Sequence, residues 1–202
     1  MAGFTPNLED TISVMERKGY KVFRNENGFD LNIVGIRTRE LQANRFDDFM
    51  TVFYRMNGEW IFNVFKCTTD PGAYWLNNPE RMSALGTAIL KEGQYSRAHR
   101  LGKHRGQYAA LVQNSPLTVI RDANRDSVLD LDSGREETGM FGINIHRASA
   151  KHESVQVDRW SAGCQVLCDP FQYEFFLKLC RQGREAFGNS FTYTLLNESD
   201  FA

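Results

Sequence analysis

Between Phe29 and His146 the apolar residues come in short runs broken by turn formers, and runs of five to seven residues bury their faces as sheet strands. The pattern predicts strands at Asp30–Ile36, Phe49–Tyr54, Trp60–Phe65, Gly86–Leu90, Tyr108–Gln113, Leu117–Arg121 and Gly142–His146, with Phe191–Leu196 as a closing strand. Asn57-Gly58 sits between the second and third of these and signals a tight hairpin. Thr68–Leu85 holds Asp70-Pro71-Gly72 and Asn77-Asn78-Pro79 and reads as a long loop of the functional kind. Helical spacing is confined to the flanks. Leu8, Ile12 and Met15 recur between Pro6 and Gly19, which predicts an amphipathic helix over 6–18. Asp169-Pro170 opens a second helix, with Phe171, Phe175, Phe176 and Leu179 as its buried stripe and Gly188 as its stop. No repeat, linker or low-complexity segment interrupts the chain. The expected architecture is one β-rich α+β domain over residues 1–202, a barrel or sandwich with flanking helices.

Composition narrows the partners. A length of 202 residues suits one domain with its own core, and a formal net charge of −1 removes the electrostatic argument for nucleic acid. Fifteen Phe, seven Tyr and three Trp imply a compact core or aromatic-lined grooves. Met1–Tyr20 lacks the basic and apolar regions of a secretory signal, and no run approaches the roughly 18 apolar residues of a membrane helix. The expectation is therefore synthesis in the cytoplasm without membrane insertion, with any outside target reached by another route. Cys67, Cys164, Cys168 and Cys180 read as free thiols in that compartment.

The chemistry-bearing segments are Gly142-Ile-Asn144-Ile-His146-Arg147 and Ser161-Ala162-Gly163-Cys164, with fourteen residues between His146 and Ser161. A cysteine nucleophile needs a base to form thiolate and backbone N–H groups to hold the oxyanion. Here a histidine ends an apolar strand, and a cysteine follows a glycine whose backbone can turn tightly. The alternative is a buried thiol behaving as a small hydrophobe beside a hydrogen-bonded histidine.

A histidine ending an Ile-His strand, a fourteen-residue gap and Ser-x-Gly-Cys resemble the signature of L,D-transpeptidase catalytic domains. The resemblance is specific over about 139–168 and diffuse elsewhere; Gly86-Thr87-Ala88 through Gly93-Gln94-Tyr95 is weakly similar to a further family segment. It implies a family-type β-barrel or sandwich acting on peptidoglycan stem peptides without a required cofactor. Cys164 would be the acyl-accepting nucleophile and His146 the general base. The Arg147 main-chain carbonyl would orient that base, and the amides around Gly163 and Cys164 would form part of the oxyanion hole. Trp160, Ser161, Asn144 and Gln165 flank the motifs and are the substrate-binding candidates. Ala162 and Gln165 stand where the family usually has histidine and arginine, which marks a divergent branch. The expected role is a lytic, endolysin-like peptidase. The competing reading is a non-catalytic peptidoglycan-binding or virion structural protein that retains the fold. An imidazolium at His146 is expected to pull the Cys164 thiol down.

Two metal readings stand beside this. Asp122, Asn124, Asp126 and Asp130 fall at relative positions 1, 3, 5 and 9, the spacing of a calcium loop. Ser127 replaces the usual Gly at position 6 and Ser133 the usual Glu at position 12, so an Asp/Asn-rich turn between strands is the alternative. A zinc set drawn from His99, His104, His146, His152, Cys164 and Cys168 has one close pair, Cys-x₃-Cys, and no second.

Overall fold

A computed structural model describes residues 4–202. Residues 1–3, the first of the predicted domain and of the segment read for a leader, lie outside the described residues. The first helix, α1 (Leu8–Arg17), is capped by Asn7, whose side chain accepts from the Asp10 amide at 2.9 Å. Its buried residues are Thr11, Val14 and Met15, so the inward face is rotated from the predicted one and Leu8 and Ile12 lie at its edge. That face packs on Val34, Ile36, Phe53 and Leu196.

Three strands follow: β1 (Asn32–Arg37), β2 (Asp48–Met56) and β3 (Glu59–Thr68). Strand β1 is buried on both faces, with Ile33 in the barrel interior and Val34 and Ile36 under α1. Double burial explains its unbroken apolar run. The β2–β3 hairpin turns at Asn57 and Gly58, both at positive φ (52° and 85°), as a type I′ turn requires. The predicted loop 68–85 contains a single helical turn, α2 (Ala73–Leu76), and a 3₁₀ turn at Pro79–Arg81.

The remaining elements are β4 (Thr87–Leu90), β5 (Gly93–His104), β6 (Tyr108–Gln113), β7 (Leu117–Asp122), β8 (Arg135–Gly139), β9 (Ile145–Arg147), β10 (Gln165–Leu167), α3 (Pro170–Phe187) and β11 (Phe191–Asn197). Eight strands close a barrel in the order β1-β11-β5-β6-β9-β10-β3-β2, and β4-β7-β8 form a separate three-stranded sheet. The molecule is thus α+β and sheet-rich. Strands β5, β8 and β10 escape the apolar pattern for different reasons. Polar β5 is held as a strand by neighbours on both edges, β11 and β6. Charged β8 is an edge strand, where charge is tolerated and discourages further pairing. The third, β10, is three residues long, too short for any periodicity to register.

Asp169 caps α3, accepting from the Phe171 amide at 2.7 Å, with Pro170 in the first turn. The buried residues include Tyr173, Phe176, Leu177, Leu179 and Cys180. Phe176 and Leu179 are buried as predicted, whereas Phe171 is 82% exposed and Phe175 45% exposed, which corrects the predicted stripe at those two positions. Two i, i+4 series run along this helix, and Tyr173 selects the inner one: its hydroxyl donates to the Ala109 carbonyl at 2.7 Å.

Strands β9 and β10 run parallel, pairing Gln165 with Ile145 and Val166 with His146. Parallel neighbours need a crossover of a dozen or more residues. The gap between the histidine and cysteine motifs is that crossover, fastened to the body by Val157 and Asp158 amides donating to Asn44. Beneath it lies a buried ion pair: Arg37 bonds Asp70 at 2.7 Å and the Leu90 carbonyl at 3.0 Å. Burial pushes the Asp70 carboxyl above the usual carboxylate range, although Arg37 pulls it down, and the neighbouring Asp48 adds to the rise.

Candidate active site

Cys164 sits on a tight turn immediately before β10. Gly163 adopts φ +117°, and a Cβ there would come within 2.4 Å of the Ala88 carbonyl oxygen on β4. Only glycine fits. Ser161 staples the turn: its hydroxyl donates to the Cys164 carbonyl at 2.7 Å and accepts from the Gly163 amide at 3.1 Å. The thiol is partly exposed. It accepts from the Asn144 amide at 3.5 Å and donates toward the Gly142 carbonyl at 3.6 Å. Loss of solvent around the sulfur raises Cys164 above the usual thiol range, against the opposing pull of the Asn144 amide and the Arg105 charge.

His146 reaches the same region because the β9–β10 ladder places it one ladder step beyond Asn144, whose carbonyl accepts from the Gln165 amide at 2.9 Å. It is 2% exposed. Its Nδ1 lies 2.8 Å from the Arg147 carbonyl oxygen and 3.1 Å from the Tyr108 hydroxyl, which itself donates to that carbonyl at 3.3 Å. The Arg147 guanidinium lies 4.2 Å from the Tyr108 ring centroid and helps fix the ring. A carbonyl only accepts, so Nδ1 carries the proton and Nε2 the lone pair. That Nε2 is buried without a partner. The His104 ring stacks on His146 at 4.0 Å with 28° between planes. Burial first, then the neighbouring charges of His104 and Arg105, bring His146 down to about 3.

The resting pair is therefore a neutral imidazole and a neutral thiol. This corrects the expectation of an imidazolium pulling the thiol down: both partners lose water here, and desolvation disfavours charge on each. Among the described residues the thiol's donor is turned to Gly142, and no direct thiol–imidazole hydrogen bond is formed. Both side chains line one cavity of about 570 Å³ between the barrel and the three-stranded sheet. Arg105, Trp160, Met140 and Phe141 also line it, and Trp160 is exposed at its rim. Arg121 is paired to Glu137 at 2.8 Å and lies 4.8 Å from the Phe141 ring centroid.

Three predicted substrate contacts do something else. Ser161 is fully buried in the turn. Gln165 points the other way, into the barrel, where it donates to Thr69 and Gly163 carbonyls and accepts from the Tyr193 hydroxyl at 2.7 Å. Strand alternation accounts for this, since neighbouring residues face opposite sides. Asn144 lines the cavity, but its side chain is engaged with the Gln113 amide (2.9 Å) and His104 Nδ1 (3.0 Å). The Gly163 amide, expected in the oxyanion hole, is committed to Ser161 Oγ.

His104, Arg105 and Tyr108 come from the β5–β6 hairpin and carry no local motif that marks them. Gln113 is likewise unmarked, yet its Oε1 accepts from the amides of Phe141, Gly142 and Ile143 at 3.0, 2.7 and 3.0 Å and fixes the approach to β9.

The segment of Asp122, Asn124, Asp126 and Asp130 is a surface turn closed on itself. Asn124 Nδ2 donates to Asp126 and Asp130 carboxylates at 2.9 and 3.0 Å, and the Asp130 amide donates to Asp122 at 3.2 Å. Asp122 Oδ1 is buried and unpartnered. Among the described residues no three His, Cys, Asp or Glu side chains are gathered so as to hold a metal ion. No helix among them is long and apolar enough to cross a membrane. Compared with known proteins, the sequence matches no family model and no curated protein.

Proposed function

We propose that this chain is a cysteine-dependent acyl-transfer enzyme of L,D-transpeptidase type, cleaving stem or cross-link peptides of peptidoglycan. The observation that carries the reading is the contact of His146 Nδ1 with the Arg147 carbonyl: it fixes the proton on Nδ1 and leaves a buried, unpartnered Nε2 lone pair on a ring that lines the same cavity as the Cys164 thiol. A neutral base beside a neutral thiol can take its proton when substrate displaces the Gly142 contact. Thiolate then attacks the carbonyl, His146 returns the proton to the leaving amine, and a thioester on Cys164 remains. Water resolves the thioester by hydrolysis, and a second amine resolves it by transfer. Hydrolysis, a lytic outcome, is the proposed route, because the cavity opens to solvent beside the exposed Trp160 and Met140. This chemistry uses Cys164 and His146 and calls on no cofactor. The peptidoglycan substrate rests on the Ile-His and Ser-x-Gly-Cys resemblance.

The test is digestion of purified peptidoglycan fragments, with products weighed by mass spectrometry. Wild-type protein is expected to cut or exchange a stem-peptide bond, and Cys164→Ala to do neither. Equal product from both proteins, or none from the wild type, would remove the reading and leave a wall-binding or structural protein.

A further inference from the structure

Beside the proposed base the cavity holds a second histidine that the mechanism above does not use. His104 ends β5, is 8% exposed and lies flat against His146. Its tautomer follows from its neighbours. Asn144 Oδ1 accepts from the Gln113 backbone amide at 2.9 Å, so the Asn144 NH₂ group faces His104 Nδ1 at 3.0 Å. An amide nitrogen only donates, so Nδ1 of His104 must accept, and its proton sits on Nε2. Nε2 has no hydrogen-bond partner among the described residues and, unlike His146 Nε2, is not sealed within the protein. The stacked rings are locked in opposite tautomers: His146 keeps a buried Nε2 lone pair behind the cavity wall, and His104 presents an N–H to the cavity.

We propose that His104 is a second catalytic histidine, whose Nε2–H holds the oxyanion formed when Cys164 attacks a carbonyl. The inference rests on Cys164 as nucleophile and His146 as base, and not on the identity of the acyl substrate. The site has a place for such a donor, because Ser161 Oγ occupies the Gly163 amide and Ala162 contributes no polar side chain. Protonating Nδ1 would set N–H against N–H at Asn144, so the ring stays neutral and keeps one donor. Burial, reinforced by the Arg105 charge, lowers His104 to about 4, which agrees with that geometry. A neutral imidazole is also the form that stacks on another imidazole without charge repulsion.

The step balances without a further reactant. The thiol proton moves to His146 Nε2, sulfur bonds to the carbonyl carbon, and the C=O π pair moves onto oxygen, where His104 Nε2–H meets it. Collapse of this intermediate expels the leaving group and restores the carbonyl as a thioester.

Two reagents separate this role from thiol activation. Iodoacetamide alkylates Cys164 by displacement and creates no oxyanion, whereas p-nitrophenyl acetate acylates it through one and releases p-nitrophenolate as a burst. In His104→Phe, which keeps a stacking ring and removes the donor, alkylation is expected to stay within about threefold of wild type. Acylation is expected to fall about 10²-fold, the usual loss for one oxyanion donor. His104→Gln, which retains a neutral N–H donor, should recover about tenfold of that loss. Both rates are read on the same thiol, with Cys164→Ala as blank, on variants whose circular dichroism and urea midpoint show them folded under the assay conditions. Parallel falls in both rates, no fall in acylation, or a Gln variant no faster than the Phe variant would each overturn the proposal. Wall cleavage plays no part in this ratio, so it and the proposed function fail separately.

Discussion

His99, His104 and His146 are all buried, and burial lowers them to about 4, about 4 and about 3. An unfolded imidazole titrates near 6.5, so below that pH the unfolded chain binds protons the folded chain refuses. While that difference lasts, each imidazole lowers stability by about 1.4 kcal/mol per pH unit. Four carboxyls act in the opposite direction. Burial raises Asp70, Asp47, Asp30 and Asp122, so the folded state takes up their protons first and gains stability as the pH falls toward 4. The contribution of His99 alone lowers stability by about 3 kcal/mol between pH 7 and pH 4, a large fraction of a domain's stability. Near pH 5.5 it amounts to about one proton. Replacing His99 should cancel it. His99 Nε2 lies 3.0 Å from the Ile143 carbonyl, and His99→Gln keeps a donor there while removing the titrating group. Urea unfolding at several pH values between 7 and 4.5, fitted to two states, gives the slope directly. Around pH 5.5 the variant's slope is expected to fall below that of wild type by about 1.2 kcal/mol per pH unit. Equal slopes in the two proteins would refute the reasoning.

Other outcomes follow from the site. Alkylation of Cys164 by iodoacetamide should keep rising with pH beyond the ordinary thiol range near 8.5, because desolvation holds the thiol neutral; a plateau near neutrality would restore the imidazolium–thiolate pair. Gly163→Ala forces a side chain to positive φ and against the Ala88 carbonyl, and should cost about 2–3 kcal/mol with slowed reaction at Cys164. An unchanged urea midpoint would show that the turn relaxes freely. Calcium or chelator should shift the melting temperature by less than about 1 °C, because the Asn124 amide already satisfies the Asp126 and Asp130 carboxylates. Stabilisation by several degrees would mean that the loop opens to take the ion.

Strands with apolar alternation were legible in place but not in their bounds: β6 (Tyr108–Gln113) matches its predicted bounds, whereas the strand predicted over Gly142–His146 begins only at Ile145. The hairpin at Asn57-Gly58 was legible because only a few residues tolerate its backbone. What escaped was set by partners distant in sequence. Strand β5 carries Ser, two Arg, Lys and two His, and nothing in it suggests a strand until β6 and β11 are beside it. The same blindness hid His104 and Tyr108, which meet His146 only through the β5–β6 hairpin. Ser161 and Gln165 show the complementary limit: closeness to Cys164 in sequence is not closeness to the cavity, because β10 turns Gln165 to the opposite face. On α3 Phe171 and Phe175 were misplaced because apolar residues lie on both sides of the helix, and the core packing of Tyr173, Phe176 and Leu177 sets the buried face.

The parallel pairing of β9 with β10 also bears on how freely such a site can be rebuilt. The relation of His146 to Cys164 is set by hydrogen bonds between Gln165 and the Asn144–Ile145 stretch, and not by the length of chain joining them. Residues 148–160 serve as a strap, and beyond the minimum that parallel strands demand the length of a strap is free. Insertions there should be tolerated, whole modules included, provided the Asn44 anchorage and the Ser161 staple remain. A search that fixes the interval at fourteen residues will pass over chains with the same two strands side by side. The more faithful query is two short segments, Ile-His and Ser-x-Gly-Cys, in that order and with the distance between them left free.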